Sequence, residues 1–304
     1  MITKHNFTNT TWVELDQPTD DDIRSITGEY GIPPIVARDL KAVSFKQRIE
    51  TYGNFLYLVL HFPAFKHTHG EKHIQELDFI IGANFVITVK YDTIDPLHKF
   101  SKLIETDHML GKKGIHEEPA FIFFGLLREI YRSLGHEIEY IEDWTDKIEQ
   151  KIFKSKEKEM VIALSQVTRE LLDFKRTIEP HKEILDSLGD AGTKIFDGDF
   201  SFNVDAIRTD YYKVRHHMRS SIELVQALRE TNDSLLTTKQ NEVMKLFTIL
   251  AFVTFPLSLI AAIFDIQSTS TPFQNHPYGF WIILFIMCIA TLIMFAFFKH
   301  KKWL

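Results

Sequence analysis

Apolar positions are distributed along the 304-residue chain in different ways, and each pattern predicts a different kind of structure. Towards the C-terminal end, residues 246–264 and 278–298 are uninterrupted apolar runs without a charged side chain. Each is about 20 residues, the length an α-helix needs to cross a bilayer at about 1.5 Å per residue. Over residues 1–95, segments rich in β-branched and aromatic residues alternate with turn signals. Residues 12–15, 48–52, 55–62, 76–81 and 85–91 read as strands, with Gly53-Asn54 and Gly82-Ala83-Asn84 as hairpin breaks. Thr19, followed by Asp20, Asp21 and Asp22, predicts a capped helix start, and Gly31-Ile32-Pro33-Pro34 ends that helix and begins another.

From Pro96 onward the pattern turns helical. Residues 119 to about 153 are strongly amphipathic, 158–188 form a second long segment interrupted at Pro180, and 189–198 read as a loop. Residues 202–255 then contain neither Gly nor Pro. Val204, Ile207, Tyr211, Val214, Met218, Ile222, Val225 and Leu228 recur there at spacings of three and four, a helical stripe close to a heptad seam. The stripe enters the first apolar run without a stop signal, which predicts one continuous helix of about 80 Å. The alternative is two helices broken at Asn232-Asp233-Ser234. The fold class is therefore an α+β membrane protein. A cytoplasmic α/β domain (1–95) and helical part (96–200) lead to a stalk helix (201–245) continuous with a first span (246–266). An external loop (267–277), a second span (278–298) and a basic tail (299–304) follow.

Charge sets the orientation. Lys239 and Lys245 precede the first span and Lys299, Lys301 and Lys302 follow the second, whereas residues 265–277 carry no Lys or Arg. The excess of basic residues on one side places both termini in the cytoplasm, with the protein in the cell (inner) membrane. The first residues carry no signal-peptide-like stretch, consistent with that expectation. Trp281 and Trp303 suit the interface. The net charge of −6 gives no reason to expect a nucleic-acid partner, and Cys288, the single cysteine, reads as packing in the second span.

Two spans cannot enclose an aqueous path alone, so a conduit requires several copies, each giving one span to the centre. The first span is the candidate, since it carries Thr248, Ser258 and Pro256 and is preceded by Asn241. Steps of three and four connect Asn241, Met244, Phe247, Thr248, Ala251, Phe255, Ser258 and Ala262. Polar rings there would hold a hydrated cation and bulky apolar rings would constrict the path. The other reading is that the hydroxyls and amide join helices. His67, His69 and His73 cluster on a hairpin tip, where imidazoles bind zinc or simply decorate a polar loop. His136-Glu137 starts like a zinc-protease helix but lacks the second His, and His216-His217 point to different faces. No phosphate loop, dinucleotide fingerprint or nucleophile elbow is present, so nothing supports an enzyme or an organic cofactor.

Residues 241–249 (Asn-Glu-Val-Met-Lys-Leu-Phe-Thr-Ile) and 255–264 (Phe-Pro-Leu-Ser-Leu-Ile-Ala-Ala-Ile-Phe) closely resemble the pore helix of the CorA-type magnesium transporters. The ending Phe298-Lys299-His300-Lys301-Lys302-Trp303-Leu304, residues 12–23, Arg48-Ile49-Glu50-Thr51-Tyr52 and residues 56–60 also look like theirs, so the likeness covers nearly the whole chain. The resemblance implies a funnel-shaped homopentamer in a lipid bilayer. It implies passive conduction of Mg2+, with Co2+ and Ni2+ as further candidates, and closure by regulatory Mg2+ bound between subunits. It also implies that Asn241, Met244, Phe247, Ala251, Phe255 and Ser258 face the pore. The family's Gly-Met-Asn signature is replaced by Asp265-Ile266-Gln267, which would put a carboxylate ring and a longer amide at the external mouth. Asp205 and Asp210 lie where regulatory metal ligands are expected but do not align cleanly with them. The altered signature also suits a ligand-gated membrane effector on the same scaffold, such as those beside CRISPR systems, or a zinc or proton-coupled transporter.

Overall fold

The computed structural model describes residues 1–64, 74–109, 118–196, 199–265 and 277–301, so His67, His69, His73, Gln267 and most of the loop between the apolar runs lie outside the described residues. It divides into two compact units, Met1–Arg229 and Glu230–Leu304.

The first unit is built on one six-stranded sheet in the order β1-β2-β6-β5-β4-β3. The strands are β1 (Ile2–Asn6), β2 (Thr11–Asp16), β3 (Arg48–Tyr52), β4 (Phe55–Pro63), β5 (Ile74–Gly82) and β6 (Phe85–Lys90). β2 and β6 run parallel, with Val13 opposite Ile87, and the other neighbours are antiparallel. Helices cover both faces. α1 (Asp20–Tyr30) and α2 (Pro34–Asp39) lie on one, where Ile23, Ile26, Val36 and Leu40 meet Val13, Leu15, Tyr57, Val59, Ile80, Ile87 and Val89. The other face packs α3 (Asp95–Met109), α4 (Pro119–Ile152), α5 (Glu157–Ile178), α6 (His181–Gly192) and the start of α7 (Asp199–Asp265). There Leu56, Leu58, Leu60, Phe62, Leu77 and Phe79 meet Phe123, Leu127, Phe174, Leu185 and Val204. Burial on both faces is why β4 reads as an unbroken apolar run instead of an alternating one.

Local chemistry fixes the ends. Thr19 caps α1 through a capping box with Asp22, and Gly31 closes it in the left-handed conformation, as the sequence predicts. Three expectations need correction. β1 was not expected; it is an edge strand whose mostly exposed, polar residues give no period-two signal. The segment 189–198 is not a loop throughout, because α6 continues to Gly192. Close packing explains a glycine inside this helix: a Cβ on Gly192 would overlap the Phe200 ring. The long helix starts at Asp199 instead of 201. α7 then runs 67 residues without the alternative break at Asn232, and the expected stripe is buried at Val204, Ile207, Tyr211, Val214, Met218, Val225 and Leu228.

In the second unit, the end of α7 and α8 (Gly279–His300) are long and apolar enough to cross a membrane. Only 6% and 0% of their most apolar windows are buried within the chain, unlike the core helix of a soluble domain.

Candidate cation path

On α7, successive residues turn about 100°, so Asn241, Met244, Phe247, Thr248, Ala251, Phe255, Ser258 and Ala262 fall in one arc of about 120°. Met244, Phe247 and Phe255 are 58%, 61% and 73% exposed; Asn241, Ser258 and Ala262 are exposed, and Thr248 and Ala251 are half-buried. α8 approaches another side of α7, where Phe252 meets Phe298 edge-on at 6.4 Å between ring centres and Pro256 faces Ile293 and Met294. That side adjoins the arc: Phe252 and Pro256 lie about 20° and about 60° beyond its Asn241 edge. The chain therefore leaves uncovered the stripe that sequence spacing singled out. The Thr248 hydroxyl donates to the Met244 carbonyl at 2.8 Å, so its polar character is partly spent within the helix. Asp265 is exposed at the end of α7, about 36 Å from Asn241. No basic residue occupies the last turn, so the negative end of the helix dipole and the Asp265 carboxylate add together.

Asp205 and Asp210 are not brought together, and each already has cationic partners. Asp205 accepts from Arg208 at 2.7 Å, and Asp210 accepts from Arg128 at 3.3 Å with Lys213 at 3.6 Å. Asp210 lines a groove of about 250 Å³ with Arg132, Glu139 and His217. No group of three potential metal ligands is found among the described residues.

Two buried polar networks in the first unit were not legible as sites. β3 begins only at Arg48, so at the far end of β4 the His61 main chain has no strand partner on that edge. Gln47 Oε1 accepts from the His61 N–H at 3.1 Å, and His181 Nε2 donates to the His61 carbonyl at 2.8 Å. The other nitrogen, Nδ1, then accepts from the Tyr131 hydroxyl at 2.9 Å, which fixes the tautomer. Complete burial pushes His181 down to about 4, against the upward pull of the His61 carbonyl. On the other face Glu76 accepts from the Ser44 N–H at 2.7 and 3.0 Å and pairs with His61 Nε2 at 2.7 Å. Asp78 Oδ2 accepts from the Tyr57 and Tyr91 hydroxyls, each at 3.2 Å. Burial and the Glu76 charge push the Asp78 carboxyl well above the usual carboxylate range.

Residues 8–300 match the family described as CorA-like Mg2+ transporter protein. The chain is 24% identical over 298 residues to the cobalt/magnesium transport protein CorA of Thermotoga maritima, covering 97% of this chain and 83% of that protein. It is 21% identical to the cobalt/magnesium transport protein CorA of Methanocaldococcus jannaschii, covering 96% and 91%. The complete structure of the M. jannaschii CorA magnesium transporter superposes with a TM-score of 0.86 at 20% identity, covering 99% of this chain and 94% of that one. The full-length CmaX protein gives 0.76 at 15% identity, covering 98% and 90%. These likenesses show the same succession of an α/β domain, a long helix and two apolar C-terminal helices.

Proposed function

The chain belongs to the CorA-like Mg2+ transporter family, whose members are transporters and not enzymes, and from that premise we propose that it conducts divalent cations, Mg2+ first, through a homopentameric pore. It is a metal-ion transport protein of the membrane by family. The finer reading assigns the pore to the arc of Asn241, Met244, Phe247, Thr248, Ala251, Phe255, Ser258 and Ala262, and the external mouth to Asp265 and Gln267. One observation carries it: α8 packs elsewhere on α7 and leaves this arc open for other copies. Rings of amide and hydroxyl oxygen suit a cation that keeps its hydration shell, as Mg2+ tends to. Apolar rings at Met244, Phe247 and Phe255 would gate by dewetting. The domain limits read from the sequence serve this division of labour: residues 1–200 sense, 201–245 transmit, and 246–298 span. The placement of lysines supports both termini on the cytoplasmic face of the inner membrane. A regulatory metal at Asp205 or Asp210 would have to displace Arg208 or Arg128, which makes the mouth and pore the better metal sites.

The test is cation flux into vesicles reconstituted with the full chain, using Mg2+, Co2+, Ni2+ and Zn2+ in turn, with and without a proton gradient. Mg2+ entry down its gradient is expected without a proton gradient, and Asn241→Leu is expected to cut it about tenfold or more, the scale on which polar lining governs entry. Unchanged flux in that variant would remove Asn241 from the path, and a strict need for the proton gradient would favour a coupled transporter.

A further inference from the structure

Between α7 and α8 in the second unit lies a groove of about 530 Å³, within the range of about 300–1,000 Å³ typical of small-molecule sites. Its walls are Phe252, Pro256, Ile293, Met294 and Phe297, and Lys301 stands at its mouth. Pro256 has no N–H, so the helix supplies no i+4 donor to the Phe252 carbonyl along this wall. Lys299 and His300 lie in the last turn of α8 beside Lys301. Lys245 precedes Ile249 by four residues and Phe252 by seven, which puts it on the same side of α7. The groove is thus apolar along its length and cationic at one end.

We propose that this groove binds an anionic phospholipid, with an acyl chain against Phe252, Pro256 and Met294 and the phosphate at Lys301. A second copy of the chain is the competing occupant. Its spans are uncharged over residues 246–264 and 278–298 and offer Lys301 no anion. A phospholipid offers both an apolar chain and a phosphate, and basic pockets between spans recognise such headgroups. The inference depends on α7 and α8 lying in a bilayer but not on which ion is carried.

The experiment is native mass spectrometry of the full chain in mild detergent with added phosphatidylglycerol or phosphatidylcholine of identical acyl chains. Preferential retention of phosphatidylglycerol is expected, about fivefold for each lysine engaged. Lys301→Gln should bring the two lipids towards parity, and Met294→Trp should lower retention of both by filling the groove. A photo-cross-linker at Ile293 gives a reading that does not depend on that bulky variant and should yield an adduct of lipid mass. Equal retention of the two lipids by the unaltered chain, an undiminished preference in Lys301→Gln, or a cross-link joining two chains would each overturn the proposal. None of these readouts measures ion flux, so their failure leaves the transport reading to its own test.

Discussion

His181 bonds through both ring nitrogens in an arrangement that suits the neutral imidazole: Nε2 donates to the His61 carbonyl and Nδ1 accepts from Tyr131. Burial holds its folded pKa at about 4, below the ordinary value of 6.5. With the folded value depressed, this stabilisation is complete above about 6.5 and is lost as pH falls towards 4, by which point the loss amounts to roughly 3 kcal/mol. Amide protection factors in α6 and at the end of β4, each referred to the intrinsic exchange rate at that pH, should therefore fall progressively over that window. His181→Gln can keep one donor and one acceptor but cannot titrate, so it should flatten the dependence. If both proteins lose protection in parallel, the acid sensitivity resides elsewhere. Asp78 has the opposite sign. Its carboxyl is raised, so its contribution is largest in acid and is lost as pH rises towards its folded value. Neither residue was legible beforehand. His181 follows Pro180 in what reads as one interrupted helix, and Asp78 interrupts a strand pattern; only the sheet register brings Glu76 and Asp78 against His61, Tyr57 and Tyr91.

Elements whose burial follows one period were readable from the chain. The stripe from Val204 to Leu228 is buried as spaced, and β4 and β5 appear where apolar runs meet Gly-containing turns. Elements whose reasons lie in distant neighbours were not. β1 exists because Ile2 to Asn6 pair with Leu15 to Thr11, and α6 extends through Gly189 and Gly192 because other helices need the space. Gly192 shows how tight that space is. Phe200, whose ring a Cβ at Gly192 would enter, is stacked on Phe196 at 4.8 Å and tilted against Phe124 at 4.9 Å, so it has nowhere to move. Gly192→Ala, favourable by helix propensity alone, should therefore destabilise the first unit by about 1–3 kcal/mol through overpacking. Chemical denaturation followed by tryptophan fluorescence reads this directly. A neutral or stabilising result would mean that the α6–α7 contact yields at little cost. The arc on α7 was equally legible from spacing, because helical geometry alone sets which residues share a side. Its role was not, since one chain cannot say what faces it.

At the scale of the whole molecule, Asp265, at the proposed external mouth, acts through its charge. A carboxylate at the end of α7 adds to the negative end of the helix dipole, and no basic side chain in that turn offsets either. Repeated around a symmetric assembly, this concentrates negative potential where the proposed path meets the outside, which raises the local concentration of cations. The attraction is exposed and therefore screened, with a Debye length of about 30 Å at 0.01 M salt and about 3 Å at 1 M. Asp265→Asn keeps the size and removes the charge. In reconstituted vesicles it should lower Mg2+ entry about tenfold at low ionic strength. The difference should shrink towards zero in molar salt made with a large, impermeant monovalent cation. Discrimination between Mg2+ and monovalent cations should fall in the same variant, because Coulomb attraction scales with ion charge. Flux that is unchanged at low salt would make Asp265 a helix-end residue and leave selection to the arc below it. Reduced flux with no salt dependence would point instead to direct coordination of the ion, since contact between a carboxylate and a bound cation is little screened.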